Sequence, residues 1–381
     1  MWKFGAWVSV GGILAASLSS ISLSSVALAS IRRSGDFSFH AGSNACNKGA
    51  HIPALEPRPV PETGSGDPEL DLSKGGRGWH ITAIQADKAW ELTRGNPDVS
   101  IAIVDSGVEY NHPDLAANLK HIPAQKSSTV DETVGWDFDR ESALPWDNNG
   151  HGTFMAGLAA ATGDNGIGSS GVCPRCSLLA YRFMNADGLG DDADAARGIR
   201  RAVNDGARII NASFAGEGSD DGIREAIKFA AAHDVVVVVA AGNDSDDVAK
   251  DDVYPAKWEY PNMIKVAAAT QTNHLAKRSN YSTRYVQVAS PGRFLVSTWT
   301  KGSIDIDDQD GGSTSIATPV VSGTAGLMLS ANPALTAAQV VQILENTVTY
   351  SPALEGKVRS SGVINALAAV RCAKTLACLK K

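Results

Sequence analysis

The chain has 381 residues, 43% of them hydrophobic and 20% charged, with a formal net charge of −7. This composition is that of a soluble globular protein, long enough for one large α/β domain or two small ones. The acidic balance, with no basic stripe to neutralise phosphates, excludes nucleic acid as an expected partner, and the charge itself reads as simple solubility.

Residues 4–29 carry no charged side chain, follow Lys3, and end in Val26-Ala27-Leu28-Ala29, a small-x-small cleavage pattern. Residues 1–29 therefore read as a secretory signal peptide, which implies a secreted or periplasmic protein. The competing reading is an uncleaved anchor, since the stretch is long enough to span a bilayer. Its serines and the Gly11-Gly12 pair favour the signal, so no stable membrane association is expected after cleavage. Residues 30–77 read as a tether or short pro-segment. Five prolines fall between Pro53 and Pro68, with Gly64-Ser65-Gly66 among them, and no helical or strand period is sustained.

Residues 78–381 carry the folded pattern. The spacing predicts a short helix over Ala83 to Leu92, and the apolar run Val99 to Val104 a strand buried on both faces. Ser177 to Arg182, Ala207 to Ala212, Val235 to Ala241 and Met263 to Ala269 read as further strands. Asp191 to Asp205 and Asp220 to Ala232 read as helices between them. Strands alternating with helices imply an α/β fold with a mainly parallel sheet, whose chemistry gathers at the strands' carboxyl ends. Phe154 to Ala161 and Ile316 to Ser330 are apolar or small on nearly every side, which predicts buried helices, the second with Pro319 in its first turn. Thr336 and Gln339 form a capping-box pattern, and a last helix is expected from Val363 to Ala373.

Five cysteines fit an exported protein. Cys173-Pro174-Arg175-Cys176 follows Gly168-Ser169-Ser170-Gly171, so a local disulfide in a surface loop is expected there. Zinc would need four ligands, and a redox pair would normally open a helix. Cys372 and Cys378 are a second candidate bridge, which leaves Cys46 unpaired.

Three strings carry the chemistry. Asp105-Ser106-Gly107 ends a strand, Asn149-Gly150-His151-Gly152-Thr153 opens one buried helix, and Ser313-Thr314-Ser315-Ile316-Ala317-Thr318-Pro319 opens the other. A Ser hydroxyl is a poor nucleophile at neutral pH. It needs a His to take its proton and a carboxylate to orient that His. A helix amino terminus favours a developing oxyanion. One such residue alone would read as a turn, cap or core residue. Three in this order point to nucleophilic acyl transfer.

These strings resemble the signature motifs of the subtilases, the subtilisin-like serine peptidases. Asn111-His112-Pro113-Asp114-Leu115, Asn211-Ala212-Ser213-Phe214-Ala215-Gly216, Ala240-Ala241-Gly242-Asn243 and Ala289-Ser290-Pro291-Gly292 agree, and the resemblance spans about Trp79 to Arg371. It implies a three-layer α/β/α fold and a serine endopeptidase acting on polypeptide substrates, expected to be a monomer. It implies that Asp105, His151 and Ser315 are the triad and that Asn243 serves the oxyanion hole. It implies substrate edges at Gly188-Leu189-Gly190 and at Ser213-Phe214-Ala215, with the glycines as shapers of a surface turn in the alternative. Val253, before Tyr254-Pro255, falls at the floor of the primary pocket. Asp192 falls at an upstream subsite, with Phe214 facing it across the cleft. No cofactor is required for the chemistry. A structural calcium is implied at Asp114 and Asn165 of the loop 163–168, against the plainer reading of a polar turn.

The pattern departs from the family at Ser313, where Gly is usual, at Val320 and at Phe154, where His is common. Many exported subtilases carry a folded prodomain, and residues 30 to about 77 show no pattern for one. These departures leave two alternatives: a narrow processing peptidase for a dedicated partner, and a non-catalytic binding protein of the same fold. A thiol–disulfide oxidoreductase using Cys173 and Cys176 is the weakest alternative.

Overall fold

The computed structural model describes residues 30–32, 36–38, 52–57, 67–70, 78–126, 128–307 and 311–379. The expected signal peptide and Cys46 lie outside the described residues. The strands of the main sheet are β1 (Ser100–Asp105), β2 (Gly135–Asp137), β3 (Ser177–Arg182), β4 (Ile209–Ala212), β5 (Val236–Ala240), β6 (Met263–Ala269), β7 (Val288–Pro291), β8 (Thr349–Tyr350) and β9 (Gly362–Val363). The helices are α1 (Trp79–Ala83), α2 (Ala86–Ala89), α3 (His151–Ala160), α4 (Asp192–Asn204), α5 (Asp221–Ala232), α6 (Thr314–Ala331), α7 (Ala337–Asn346) and α8 (Ala366–Thr375).

The sheet has nine strands in the order β8-β9-β7-β6-β5-β4-β1-β3-β2, parallel except for the β8–β9 pair. Every residue of β1, β3, β4, β5 and β6 is buried, as their predominantly apolar runs require. Side chains alternate between the faces and feed two separate cores. Ile101, Ile103, Val236 and Val238 lie in one, Ala102, Val104, Val237 and Val239 in the other. Helices cover both faces. This is the three-layer α/β/α architecture expected from the sequence.

Helix starts follow their caps. Asp191 accepts from Ala193 N, Asp220 from Ile223 N, and Thr336 and Gln339 close a full capping box. Each such cap contributes about 1 kcal/mol. All of α3 is buried, and so is α6 from Thr314 to Leu329. Helix α6 begins at Thr314, so Pro319 lies in its second turn rather than its first. The N–H that proline lacks would have served the carbonyl of Ser315. That carbonyl instead accepts the Ser213 hydroxyl at 2.8 Å.

Four local expectations are corrected. The single helix over Ala83 to Leu92 is two short ones, because Gln85 takes a left-handed φ of 58° between them. The last helix starts later than expected, at Ala366 behind its cap Asn365, because Gly362–Val363 joins the sheet. The Cys173–Cys176 bridge is present, but both cysteines are buried rather than on the surface, packed against Gly326 of α6. A second bridge joins Cys372 and Cys378. Parts of the segment expected to be a tether are docked. Ser30–Arg32 pairs with Asp36–Ser38 and, through Ile31, with Gly216. Tyr110 and Asn111 donate to the carbonyls of Pro53 and Ala54. Backbone groups in an unperiodic stretch still need partners, and the domain surface supplies them.

Helix α1 carries an unusual group. His80 is fully buried, and neither ring nitrogen has a partner among the described residues. Burial pushes its pKa down to about 4. Its folded value is thus below the unfolded one, so stability is complete above pH 6.5 and is lost as pH falls from 6.5 towards 4. The loss is on the order of 3 kcal/mol. Urea midpoints of inhibitor-blocked protein at pH 7, 5.5 and 4.5 check this. His80→Leu should flatten the dependence by that amount, and identical pH slopes for variant and wild type would refute it.

Candidate active site

Asp105 ends β1 and His151 opens α3. The His151 Nδ1 lies 2.7 and 2.9 Å from the two Asp105 carboxylate oxygens, and both side chains are buried. Ser106 N donates to Asp105 Oδ1 at 2.7 Å, which helps fix the orientation of the carboxylate. The approach of helix to strand is close. A Cβ on Gly152 would collide with the Gly107 carbonyl and come within 3.2 Å of Asp105 Cβ. Only glycine after the His allows this contact.

Asp147 was not singled out by the sequence reading, and it organises this start. Its buried carboxylate accepts from Asn149 N, Gly150 N, Thr153 N, Thr153 Oγ1 and Ser106 Oγ. Ser106 Oγ in turn accepts from Gly152 N at 2.9 Å. The same side chain therefore caps α3 and ties it to the strand end that carries Asp105. Burial pushes the Asp147 carboxyl up, against the hydrogen bonds that favour its ionised form. Asp147 lies three residues before the N-cap position, which Gly150 occupies, so the usual cap pattern does not mark it.

Ser315 sits in the first turn of α6, is 1% exposed, and its hydroxyl has no hydrogen-bond partner among the described residues. A buried hydroxyl without a partner is costly in a structural role and expected of a reacting group. Its carbonyl is anchored through Ser213, which accepts from Asn211, which accepts from Ser322 of α6. The Ser313 departure brings no backbone strain: its φ is −141°, open to any residue. Phe154 is buried edge-on to Trp299, with centroids 6.2 Å apart, and Val320 is buried in the core.

Asn243 follows β5. Its Oδ1 accepts from Thr314 N at 2.7 Å and Thr314 Oγ1 at 3.0 Å. With the oxygen held by the residue before Ser315, the amide hydrogens on Nδ2 are the group's remaining function. Asn280 braces the same turn, donating to Ala241 O and accepting from Asp244 N and Asp246 N. Sequence reading missed Asn280, which lies far along the chain and in no motif.

The expected substrate edges have their own local reasons. Gly188 has a φ of +75° in a turn closed by Asn185, and Gly190 packs on Phe183. Ser213 and Ala215 lie beyond the end of β4, and both are buried. Phe214 is fully buried, its ring packed against Phe183 with centroids 5.2 Å apart. Asp192 is half-buried, and burial followed by the charges of Asp220 and Asp191 pushes its carboxyl up to about 6. Val253 is buried beside the Asn243 turn, its Cγ1 3.3 Å from where a Gly242 Cβ would stand.

Asp114 and Asn165 are brought together. Asn165 Nδ2 donates to Asp114 Oδ1 at 2.8 Å and Ser169 N to Oδ2 at 3.0 Å. Asp67 reaches the same loop and accepts from Asp164 N and Asn165 N. Burial, with Asp67 adding to it, pushes the Asp114 carboxyl up to about 7. Two buried carboxylates, an amide and a carbonyl-bearing loop fit a hard cation in donor type. The Asn165 amide presents its nitrogen, however, and no cluster of three His, Cys, Asp or Glu side chains forms a metal site among the described residues.

The chain is similar in sequence and fold to known proteins. The subtilase family model matches residues 96–363. Thermitase of Thermoactinomyces vulgaris is 36% identical over 291 residues, covering 76% of this chain and 94% of that one. A thermophilic serine proteinase of Bacillus sp. strain AK1 is 36% identical over 244 residues, 64% of this chain and 55% of its own length. Among solved structures, a protease from Pseudoalteromonas arctica PAMC 21717 superposes with a TM-score of 0.68 at 27% identity, covering 82% of this chain and all of that one. With the Asp–His pair at the end of β1, a serine at the start of α6 and these relatives, the chain belongs to the subtilase family of serine peptidases.

Proposed function

We propose that this peptidase is an exported endopeptidase whose chemistry is carried by Asp105, His151, Ser315 and Asn243. The observation that carries the reading is the Asp105 carboxylate on His151 Nδ1, in a fold that opens α6 with a buried, unpartnered Ser315 hydroxyl. Ser315 Oγ attacks the scissile carbonyl carbon and its proton passes to His151 Nε2. Asp105 keeps Nδ1 protonated and stabilises the imidazolium. The oxyanion of the tetrahedral intermediate takes hydrogen bonds from Asn243 Nδ2 and the Ser315 N–H. The C–N bond then breaks, the leaving amine takes the proton from His151, and water repeats the sequence on the acyl-enzyme. A fluorophosphonate probe should label one residue, and peptide mapping should place the adduct on Ser315. An adduct elsewhere would displace the reading.

Residues 1–29 serve as the export signal and residues 30–77 as a segment ahead of the peptidase domain, residues 78–381. No helix among the described residues is long and apolar enough to cross a membrane. The substrate strand lies between Gly188–Gly190 and Ser213–Ala215, whose backbones supply the pairing groups. The protein works as a monomer on polypeptides.

Val253 shapes specificity. A branched side chain packed beside Gly242 shortens the primary pocket, so small or medium apolar residues should precede the scissile bond. The Asp192 carboxylate, flanked by Asp191 and Asp220, favours a basic residue upstream. Cleavage profiling of a mixed peptide library reads both. Val253→Gly should admit Phe and Tyr, and a wild-type preference for Phe and Tyr would remove Val253 from the pocket floor.

A calcium ion in this loop would be held by the Asp114 and Asp67 carboxylates with the side-chain oxygen of Asn165, and its charge would relieve the repulsion between the two carboxylates. Millimolar calcium should raise the thermal midpoint of blocked protein, with about 2.7 kcal/mol gained at a hundredfold excess over Kd. Asp114→Asn should lose that gain. A midpoint insensitive to calcium and chelator would remove the site.

A further inference from the structure

Strand β6 reads Met263-Ile264-Lys265-Val266-Ala267-Ala268-Ala269, with one charge in a buried strand. Lys265 stands near the amino end of β6, away from the carboxyl ends where Asp105 and Asn243 lie, and no step of peptide hydrolysis uses it. Its side chain is 2% exposed. Its Nζ donates to the Trp258 carbonyl at 3.1 Å, and no carboxylate among the described residues forms an ion pair with it. The nearby acids are engaged elsewhere. Glu345 holds Arg359 through both oxygens, and Glu259 holds Arg284 at 3.2 Å. Burial, reinforced by Arg359 and opposed by Glu259 and Glu345, pushes the ammonium down to about 8.

An ammonium retains three donors, and one protein acceptor leaves two of them open. Burying a charge in that state is expensive unless something else pairs with it. Lys265 lines a cavity of about 300 Å³ beneath α7. Gln287 and Val341 are its other buried walls, while Pro261, Gln342 and Arg359 stand at its exposed rim. Gln287 is spent on the backbone, accepting from Lys265 N and donating to Met263 O. Pro261, Ala338 and Val341 give the cavity an apolar side. With Arg359 held by Glu345, Lys265 is the one cation lining the space that has no carboxylate partner among the described residues, and it faces an aliphatic wall, a lining of the size and kind that takes a small ligand.

We propose that this cavity is a binding site for a small organic monoanion, a short-chain carboxylate, whose carboxylate pairs with Lys265 and whose alkyl part lies on Ala338 and Val341. Lys265, the one lining cation outside an ion pair, matches a single negative charge. The Glu259 and Glu345 carboxylates at the mouth disfavour a dianion such as phosphate. Occupancy joins β6 to α7 and so stabilises the folded state without touching the peptidase site.

The test uses the full chain with Ser315 blocked by fluorophosphonate, which prevents autolysis and closes the active site. Butyrate is titrated calorimetrically and in thermal denaturation, against chloride at equal ionic strength and against inorganic phosphate. The expected result is saturable one-to-one butyrate binding with a rise in Tm of ~2–4 °C, and phosphate at least tenfold weaker. Lys265→Met, which keeps length and apolar volume, should weaken butyrate at least tenfold. Val341→Trp, which fills the cavity and keeps the lysine, should abolish binding. Both variants should retain peptidase activity before blocking, which verifies their fold. Absence of saturable butyrate binding to wild type, equal binding to both variants, or tighter binding of phosphate than butyrate each overturns the proposal. None of these outcomes bears on the nucleophile.

Discussion

Ser315→Ala should reduce peptide turnover by roughly 10⁶-fold while the thermal midpoint stays within about a degree of wild type. The hydroxyl makes no hydrogen bond with the described residues, so its removal strands no partner. What anchors the nucleophile segment survives the substitution: Ser213 on the Ser315 carbonyl, Asn243 on Thr314 N, and the buried body of α6. The variant should still bind peptide, because the edges at Gly188–Gly190 and Ser213–Ala215 offer backbone. Single-turnover hydrolysis, fluorophosphonate labelling and peptide binding by the same preparation read the three properties separately. Labelling that persisted in the variant, or a loss of activity explained by unfolding, would count against Ser315 as nucleophile. His151→Ala should fall almost as far. The two act as a unit, so the double variant should be little worse than either.

The sequence made the frame legible where one physical requirement dominated. Strands β3 and β6 were read with their observed bounds, and β1, β4 and β5 to within a residue or two, because a strand covered on both faces is apolar along most of its length. Helices α4 and α5 were readable from Asp caps followed by an amphipathic period. The edge was not readable. Strands β2, β7, β8 and β9 are short and join through backbone bonds that leave no period in the sequence. Gln85 breaks a helical pattern by one backbone angle, which no neighbour announces. Cys173 and Cys176 sat beside a Gly- and Ser-rich stretch that reads as surface, yet Gly323 and Gly326 let α6 close over the bridge.

The site divides in the same way. Asp105, His151, Ser315 and Asn243 lie in strings of small residues at element ends, where reacting groups leave a local signature. Asp147, Asn280 and Asp67 act on segments far from themselves or through many backbone donors at once. Their roles exist only after folding, so no local pattern marks them. Phe214 shows the converse. Its place in a motif is legible, whereas the packing of its ring against Phe183 comes only with the fold.

Asn243→Ala should lower kcat by roughly 10²–10³ with KM nearly unchanged, since the amide donates to charge that develops only in the transition state. The geometry gives this expectation its direction. Thr314 N and Oγ1 both bond to Oδ1, so the side chain has one orientation and Nδ2 is the end left for an incoming oxygen. The substitution also deprives Thr314 N of its acceptor, and a shift of the Ser315 turn would mimic the effect of a lost donor. Asn243→Asp separates the two. It keeps an acceptor for Thr314 and replaces the donor with a carboxylate, which repels the oxyanion. If oxyanion stabilisation is the role, the Asp variant loses at least as much kcat as the Ala variant while its turn stays anchored. If the role is only to hold Thr314, the Asp variant recovers activity. Inhibition by a peptide boronate, whose tetrahedral adduct places an oxygen in the same position, should weaken in parallel with kcat across both variants. A variant that lost turnover but bound the boronate as tightly as wild type would show that Asn243 acts somewhere other than the oxyanion.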